Sequence, residues 1–151
     1  MVARSLHRVL SVVAALTTGV AIGTAVFGIG YAELPSYLSS DPLTCTNCHV
    51  MQVQYDAWSR GPHHAVATCD DCHLPQDGVA HKLAVQLEDG ALHGYAFTTG
   101  TYPDNIRIRA SSLAVVNAAC LTCHAGVTDQ MRLIVGGENL TCTHCHSHIG
   151  H

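Results

Sequence analysis

Apolar and polar positions are spread very unevenly along the chain. From Val9 to Ala32 the sequence reads VLSVVAALTTGVAIGTAVFGIGYA, with no charged residue. As a helix rising about 1.5 Å per residue it would be roughly 36 Å long, enough to cross a bilayer's hydrocarbon core with some tilt. Arg4 and Arg8 precede this run and Glu33 follows it. The positive-inside bias therefore predicts a short cytoplasmic N-terminus over residues 1–8, a membrane anchor over 9–32 and an exported remainder over 33–151. The competing reading is a cleaved signal peptide. Its apolar region would be unusually long, and Gly30-Tyr31-Ala32 is only a passable cleavage site, so a retained anchor is expected. Gly19 and Gly23 form a G-x-x-x-G with Ala15 one step earlier, which allows close helix contact but is equally ordinary in a membrane span.

Beyond the anchor, Pro35 and Pro42 bracket a short connector. From Asp77 to Gly90, apolar Val79, Leu83 and Leu87 recur at helical spacing, which predicts an amphipathic helix that Gly90 terminates. Lys82, Gln86 and Asp89 share another face of that helix; a polar, solvated stripe is the plainest reading of them. A second helix is expected over Ile108–Ala119, leading into a cysteine motif. Tyr95–Asp104, containing Gly100 and Pro103, reads as a loop. The Asn139-Leu140-Thr141 sequon reads as coincidental. There is no alternating strand pattern, so the expected class is mainly α with much irregular structure.

Composition complicates this picture. The chain has 151 residues but only two Phe and one Trp, and much of its apolar content lies in the anchor. The remaining ~120 residues have too few large side chains to fill a core unaided. Seven Lys and Arg against 11 Asp and Glu, with no basic stripe, exclude a nucleic-acid partner. Low charge and 48% hydrophobic residues exclude disorder. Eight Cys would suit a secreted disulfide scaffold, but the 12 His would then have no explanation. They are a ligand surplus, and they point to metal.

All eight cysteines fall into four C-x-x-C-H units: Cys45–His49, Cys69–His73, Cys120–His124 and Cys142–His146. In such a unit both thiols form thioethers to a haem and the adjacent His becomes an axial iron ligand. Zinc sites and redox-active C-x-x-C pairs do not require a His after each second Cys. Cys45, Cys48, Cys69, Cys72, Cys120, Cys123, Cys142 and Cys145 therefore predict four covalently bound haem c groups. Four porphyrins in so short a chain supply the missing interior. The expectation becomes a single N-terminal transmembrane helix plus a compact multihaem cytochrome c domain that conducts electrons. First cysteines are 24, 51 and 22 residues apart, which suggests an internal duplication, although LTCTNCH of the first unit best matches LTCTHCH of the fourth.

Four irons offer eight axial positions, and the motif histidines can fill four. His63, His64, His81, His93, His144, His148 and His151 remain on the exported side, so four bis-His haems are affordable. The first unit departs from uniformity. It continues as Cys48-His49-Val50-Met51, and the Met51 thioether stands close enough in sequence to replace His49 on the iron, raising the potential relative to His. Simple packing of Met51 is the other reading.

The anchor, the four units, C-x-x-C-H-x-M in the first and the terminal C-x-x-C-H-x-x-x-G-H together resemble the NapC/NirT family of membrane-anchored cytochrome c quinol dehydrogenases. The resemblance covers nearly the whole chain, and within the family it is to the small subunit of a cytochrome c nitrite reductase complex. It implies a single-pass protein of the inner membrane, in contact with lipid and part of a hetero-oligomer. The first haem is then nearest the membrane and faces menaquinol, with Met51 rather than His49 as its ligand. Asp89 sits over that haem's other face and Lys82 lies beside the quinol. The second and third haems are bis-His, with His73 and His124 joined by His64 and His151 in an order left open; His63 rivals His64, and His148 rivals His151. The fourth haem, held by His146, faces the catalytic multihaem nitrite reductase subunit, whose lysine completes its coordination. Quinol oxidation releases protons as well as electrons, so Asp89 is the expected base and Lys82 orients a quinol oxygen. The alternatives are delivery to another periplasmic reductase, such as a nitrate reductase, and a non-catalytic haem relay.

Overall fold

A computed structural model describes residues 2–31, 33–134 and 141–151. Ala32, where the anchor was expected to end, and Asn139 and Leu140 of the sequon lie outside the described residues. Among the described residues every regular element is helical: α1 (Val2–Tyr31), α2 (Gln52–Ser59), α3 (Cys69–His73), α4 (Val79–Thr99), α5 (Ala110–Ile134) and α6 (Cys142–Cys145), with short 3-10 turns before α2. The chain divides into two units, Met1–Thr44 and Cys45–His151.

In the first unit, α1 begins before the arginines and runs through the whole apolar segment. Its Arg4–Tyr31 stretch has a mean hydropathy of 2.0. Leu10, Leu16, Val20 and Phe27 are all exposed, which is unfavourable in water and favourable in hydrocarbon. The hydroxyls within it are satisfied locally: Ser11 donates to the His7 carbonyl and Thr17 to that of Ala14, as a span in lipid requires. Phe27 stacks on Tyr31 one turn later, with ring centroids 5.7 Å apart. Glu33 then takes a left-handed conformation with φ of 50°. A 3-10 turn over Leu34–Leu38 follows, with Pro35 in its first turn. The buried Thr44 hydroxyl closes this connector by donating to the Ser36 carbonyl.

In the second unit, α3 is started by Thr68, whose N–H and hydroxyl both donate to the Asp71 carboxylate, at 2.7 and 2.8 Å. This is a capping box, and it makes a five-residue helix viable. Two sequence expectations need correcting. Gly90 does not end α4, which runs to Thr99 and so absorbs the first half of the expected Tyr95–Asp104 loop. Gly in a helix interior costs only about 1 kcal/mol, and the residues after it continue the turn. The true stop is Gly100, at φ 64°. There the Gly100 N–H reaches the Phe97 carbonyl and the Thr101 N–H reaches that of Ala96, a Schellman ending that needs the left-handed region. Likewise α5 does not lead into the third cysteine motif but passes straight through it to Ile134.

The apolar stripe on α4 also behaves unexpectedly. Val79, Leu83 and Leu87 are exposed, whereas Lys82, Gln86 and Asp89 are half-buried. The polar stripe is therefore the inward one. Helix α5 is long and apolar enough to cross a membrane by composition, with a mean hydropathy of 1.4 over Ala110–Met131. However, it carries Cys120 and Cys123 and packs on α3 and α6, so its apolar residues serve the second unit.

Candidate functional site

The four C-x-x-C-H units do not share one backbone. The second occupies α3, the fourth begins as α6, and the third is embedded in α5. The first unit is split. A 3-10 turn over Pro42–Asn47 stops at Cys48, whose φ and ψ of −92° and 108° are extended, and a new turn begins at His49. The Met51 N–H closes that turn on the Cys48 carbonyl at 2.8 Å. As a result Met51 is half-buried and His49 is exposed. The first and fourth units, closest in wording, thus differ in conformation.

The units stand beside one another in sequence order. The Cys45 thiol is hydrogen-bonded to Cys69, and that bond together with burial pushes it well up; the same bond holds Cys69 below the usual thiol range. Burial pushes Cys72 up, with Asp71, Cys69 and Cys123 adding to it, and burial also raises Cys120, with Cys142 next to it. First meets second, second meets third, and third meets fourth. The last contact is clamped by Asn117 of α5. Its amide donates to the Leu113 carbonyl at 2.8 Å and to the Thr143 hydroxyl at 3.1 Å, and its oxygen accepts the Thr143 N–H at 3.1 Å.

Two histidine pairs form across the fold. The rings of His73 and His151 are 7° from parallel, with centroids 5.7 Å apart and Nε2 atoms separated by 3.5 Å. Two imidazoles on opposite sides of one metal ion need their nitrogens about 4 Å apart, twice a bond of about 2.0 Å, so a small opening suffices. Burial pushes both imidazoles down, and His151 lowers His73 further, which favours the neutral, ligating form. The His63 ring stands edge-on to His124, with centroids 6.1 Å apart, and its Nδ1 lies 3.5 Å from the Ile149 carbonyl. His64, the first choice from sequence, is exposed and packs against Trp58, with centroids 5.0 Å apart. His148 lines an open hollow with Cys145 and His146, and among the described residues no imidazole stacks on His49 or His146.

A polar cluster lies on α4. The Arg109 guanidinium donates through Nη1 to Glu88 at 3.0 Å, pairs through Nη2 with Asp89 and reaches the Ser112 hydroxyl at 3.4 Å. The Asp89 side chain is 18% exposed and that of Glu88 57%. Lys82 lies two turns earlier on the same face as Asp89. His81 is tied to Asp77 at 2.8 Å and takes no part. Sequence reasoning found Asp89 and Lys82 but missed Arg109. A signal existed, because a cation at the start of a helix opposes the helix dipole, and Arg109 immediately precedes α5.

These residues suit covalent haem better than zinc. The ligands come as pairs, and among the described residues no three His, Cys, Asp or Glu converge on one point as a tetrahedral site requires. The polypeptide also encloses little of itself. Leu74, Pro75, Ala119 and Thr44 are buried, and among the described residues no side chain is fully enclosed. A chain that buries so little of itself is stable only if a large apolar group completes its interior.

The comparisons with known proteins agree. The NapC/NirT cytochrome c family, N-terminal region, matches residues 5–151. The cytochrome c-type protein NrfH of Wolinella succinogenes is 34% identical over 142 residues, spanning 87% of this chain and 80% of that protein. Among solved structures, the cytochrome c nitrite reductase NrfHA complex bound to the HQNO inhibitor superposes with a TM-score of 0.64 at 29% identity, covering 93% of this chain and 90% of that one.

Proposed function

The chain belongs to the NapC/NirT cytochrome c family, and we propose that it is the menaquinol-oxidising subunit of a cytochrome c nitrite reductase complex. With the family come covalently bound haem c, a role in electron transfer and membrane anchoring through α1. Beyond these, the reading assigns four haems, one to each C-x-x-C-H unit. It places the protein in the inner membrane, with residues 1–8 cytoplasmic, 9–32 spanning and 33–151 periplasmic. Its partner is the catalytic multihaem subunit that reduces nitrite to ammonium.

The observation that carries this reading is the ordered row of four units, with imidazole pairs, among the described residues, at the second and third only. When bound, the haems supply one-electron acceptors in series. His73 and His151 would together hold the second haem, and His124 with His63, rather than His64, the third. Met51 serves the first unit. His146 serves the fourth, and the partner subunit supplies the other ligand there.

Oxidation of a quinol to a quinone releases two electrons and two protons. Asp89 accepts a proton from a quinol hydroxyl, and the Lys82 ammonium donates a hydrogen bond to a quinol oxygen. Both project from the half-buried face of α4, where water competes less well for them. The test is to purify the complex from native membranes, count haems by mass and follow haem reduction by a menaquinol analogue. Four haems, reduction blocked by HQNO and onward transfer to nitrite are expected. Four low-spin bis-His haems with no reaction toward quinol would mean a passive relay instead.

A further inference from the structure

We propose that Arg109 is the positioning residue for Asp89, holding its carboxylate in the one orientation from which it takes the quinol proton; this rests on Asp89 being the base in the reading above. A carboxylate on a helix face otherwise samples several side-chain rotamers, and proton transfer requires hydrogen-bond distance and alignment. Arg109 removes that freedom. Its planar fork divides between two adjacent carboxylates, Nη1 to Glu88 and Nη2 to Asp89, so neither can rotate without breaking a charge-assisted bond.

The arginine is itself anchored. Its carbonyl accepts the Leu113 N–H at 2.8 Å, the first bond of α5, and Nη2 also reaches the Ser112 hydroxyl. The two carboxylates differ in access: Glu88 is 57% exposed and Asp89 18%. Glu88 therefore holds the fork from the solvent side, leaving Asp89 as the carboxylate on the inward face shared with Lys82. The pairing also couples two helices of distinct duty. α4 carries the proton acceptor, and α5 carries Cys120, Cys123 and His124. Lysine cannot replace this arrangement fully, because an ammonium is a point charge without the fork.

The test uses the complete complex in lipid vesicles, with haem reduction by a menaquinol analogue as the readout. The haem absorption spectrum and content of each variant check that it has folded. Arg109→Gln is expected to lower kcat about tenfold or more while KM changes little, since misaiming a proton acceptor affects the transition state more than binding. Arg109→Lys is expected to recover part of that loss. In an Asp89→Asn background, Arg109→Gln should add nothing further, because the two residues act as one unit. Normal turnover in Arg109→Gln alongside a slow Asp89→Asn overturns the positioning role and leaves the base intact. A full Arg109→Gln loss persisting in the Asp89→Asn background also overturns it. Normal turnover in Asp89→Asn instead removes the base, and the positioning role with it.

Discussion

His73 and His151, separated by 78 residues in sequence, place their imidazoles nearly parallel with Nε2 atoms 3.5 Å apart. Nothing local in the chain brings them together. His151 returns to the helix that carries the second cysteine pair, and its Nε2 approaches that of His73. From this pairing, replacing His151 with Ala is expected to convert one low-spin haem to high spin, and replacing His148 with Ala to leave the spectrum unchanged. Electron paramagnetic resonance of the oxidised protein distinguishes the two. Loss of the low-spin signal in the His148 variant alone would reverse the assignment.

The adjacent histidines 63 and 64 give an equally clean comparison. His63 faces His124, whereas His64 faces Trp58. His63→Ala is therefore expected to leave the third haem high-spin. His64→Ala is expected to lose only an exposed aromatic contact, worth about 0.5–1.5 kcal/mol. Spin state is measured as above, and thermal unfolding reports the second effect.

The break at Cys48 puts Met51 inside and His49 outside. Met51→His is expected to lower the potential of the first haem, because a thioether stabilises the reduced iron more than an imidazole does. Reduction by menaquinol should slow accordingly. A redox titration with all four haems at wild-type potentials would count against Met51 as a ligand.

Asn117 ties the third unit to the fourth through its amide and oxygen, which bond the Thr143 hydroxyl and N–H. Asn117→Leu strands the part-buried Thr143 N–H, and a destabilisation of about 1–3 kcal/mol is expected. Because Thr143 lies between Cys142 and Cys145, transfer to the partner subunit should slow more than quinol-driven reduction of the earlier haems. Stopped-flow absorbance with and without the partner separates these steps.

Two glycines of one helix should respond with opposite sign. Gly90 sits mid-helix in open space, so Gly90→Ala is expected to stabilise by about 0.5–1 kcal/mol. Gly100 has φ of 64°, and Gly100→Ala is expected to destabilise by about 1 kcal/mol through the left-handed strain on a Cβ. Thermal midpoints of the haem-loaded protein give both.

The sequence suggests a helix over 77–90 ended by Gly90 and a loop over 95–104, whereas the helix runs on to Thr99 and stops at Gly100. Helix termination depends on which glycine the chain turns at. Here the Schellman bonds from Gly100 and Thr101 decided it, not composition. The apolar stripe Val79–Leu83–Leu87 was read correctly as helical, but its direction was not legible. A pattern of period 3.6 says which residues share a face, not what that face meets.

The sequence by itself determined the apolar N-terminal helix, the helical class and the four C-x-x-C-H units at which haem would attach. Each is written in contiguous residues, and the chemistry of thioether formation and the length of a bilayer act on contiguous residues. Only the tertiary structure decided which histidine stands opposite His73 and His124, and which cation holds Asp89. Those partners are 20 or more residues apart, and the packing of α3 and α6 on α5 selects among side chains that are chemically equivalent in the sequence.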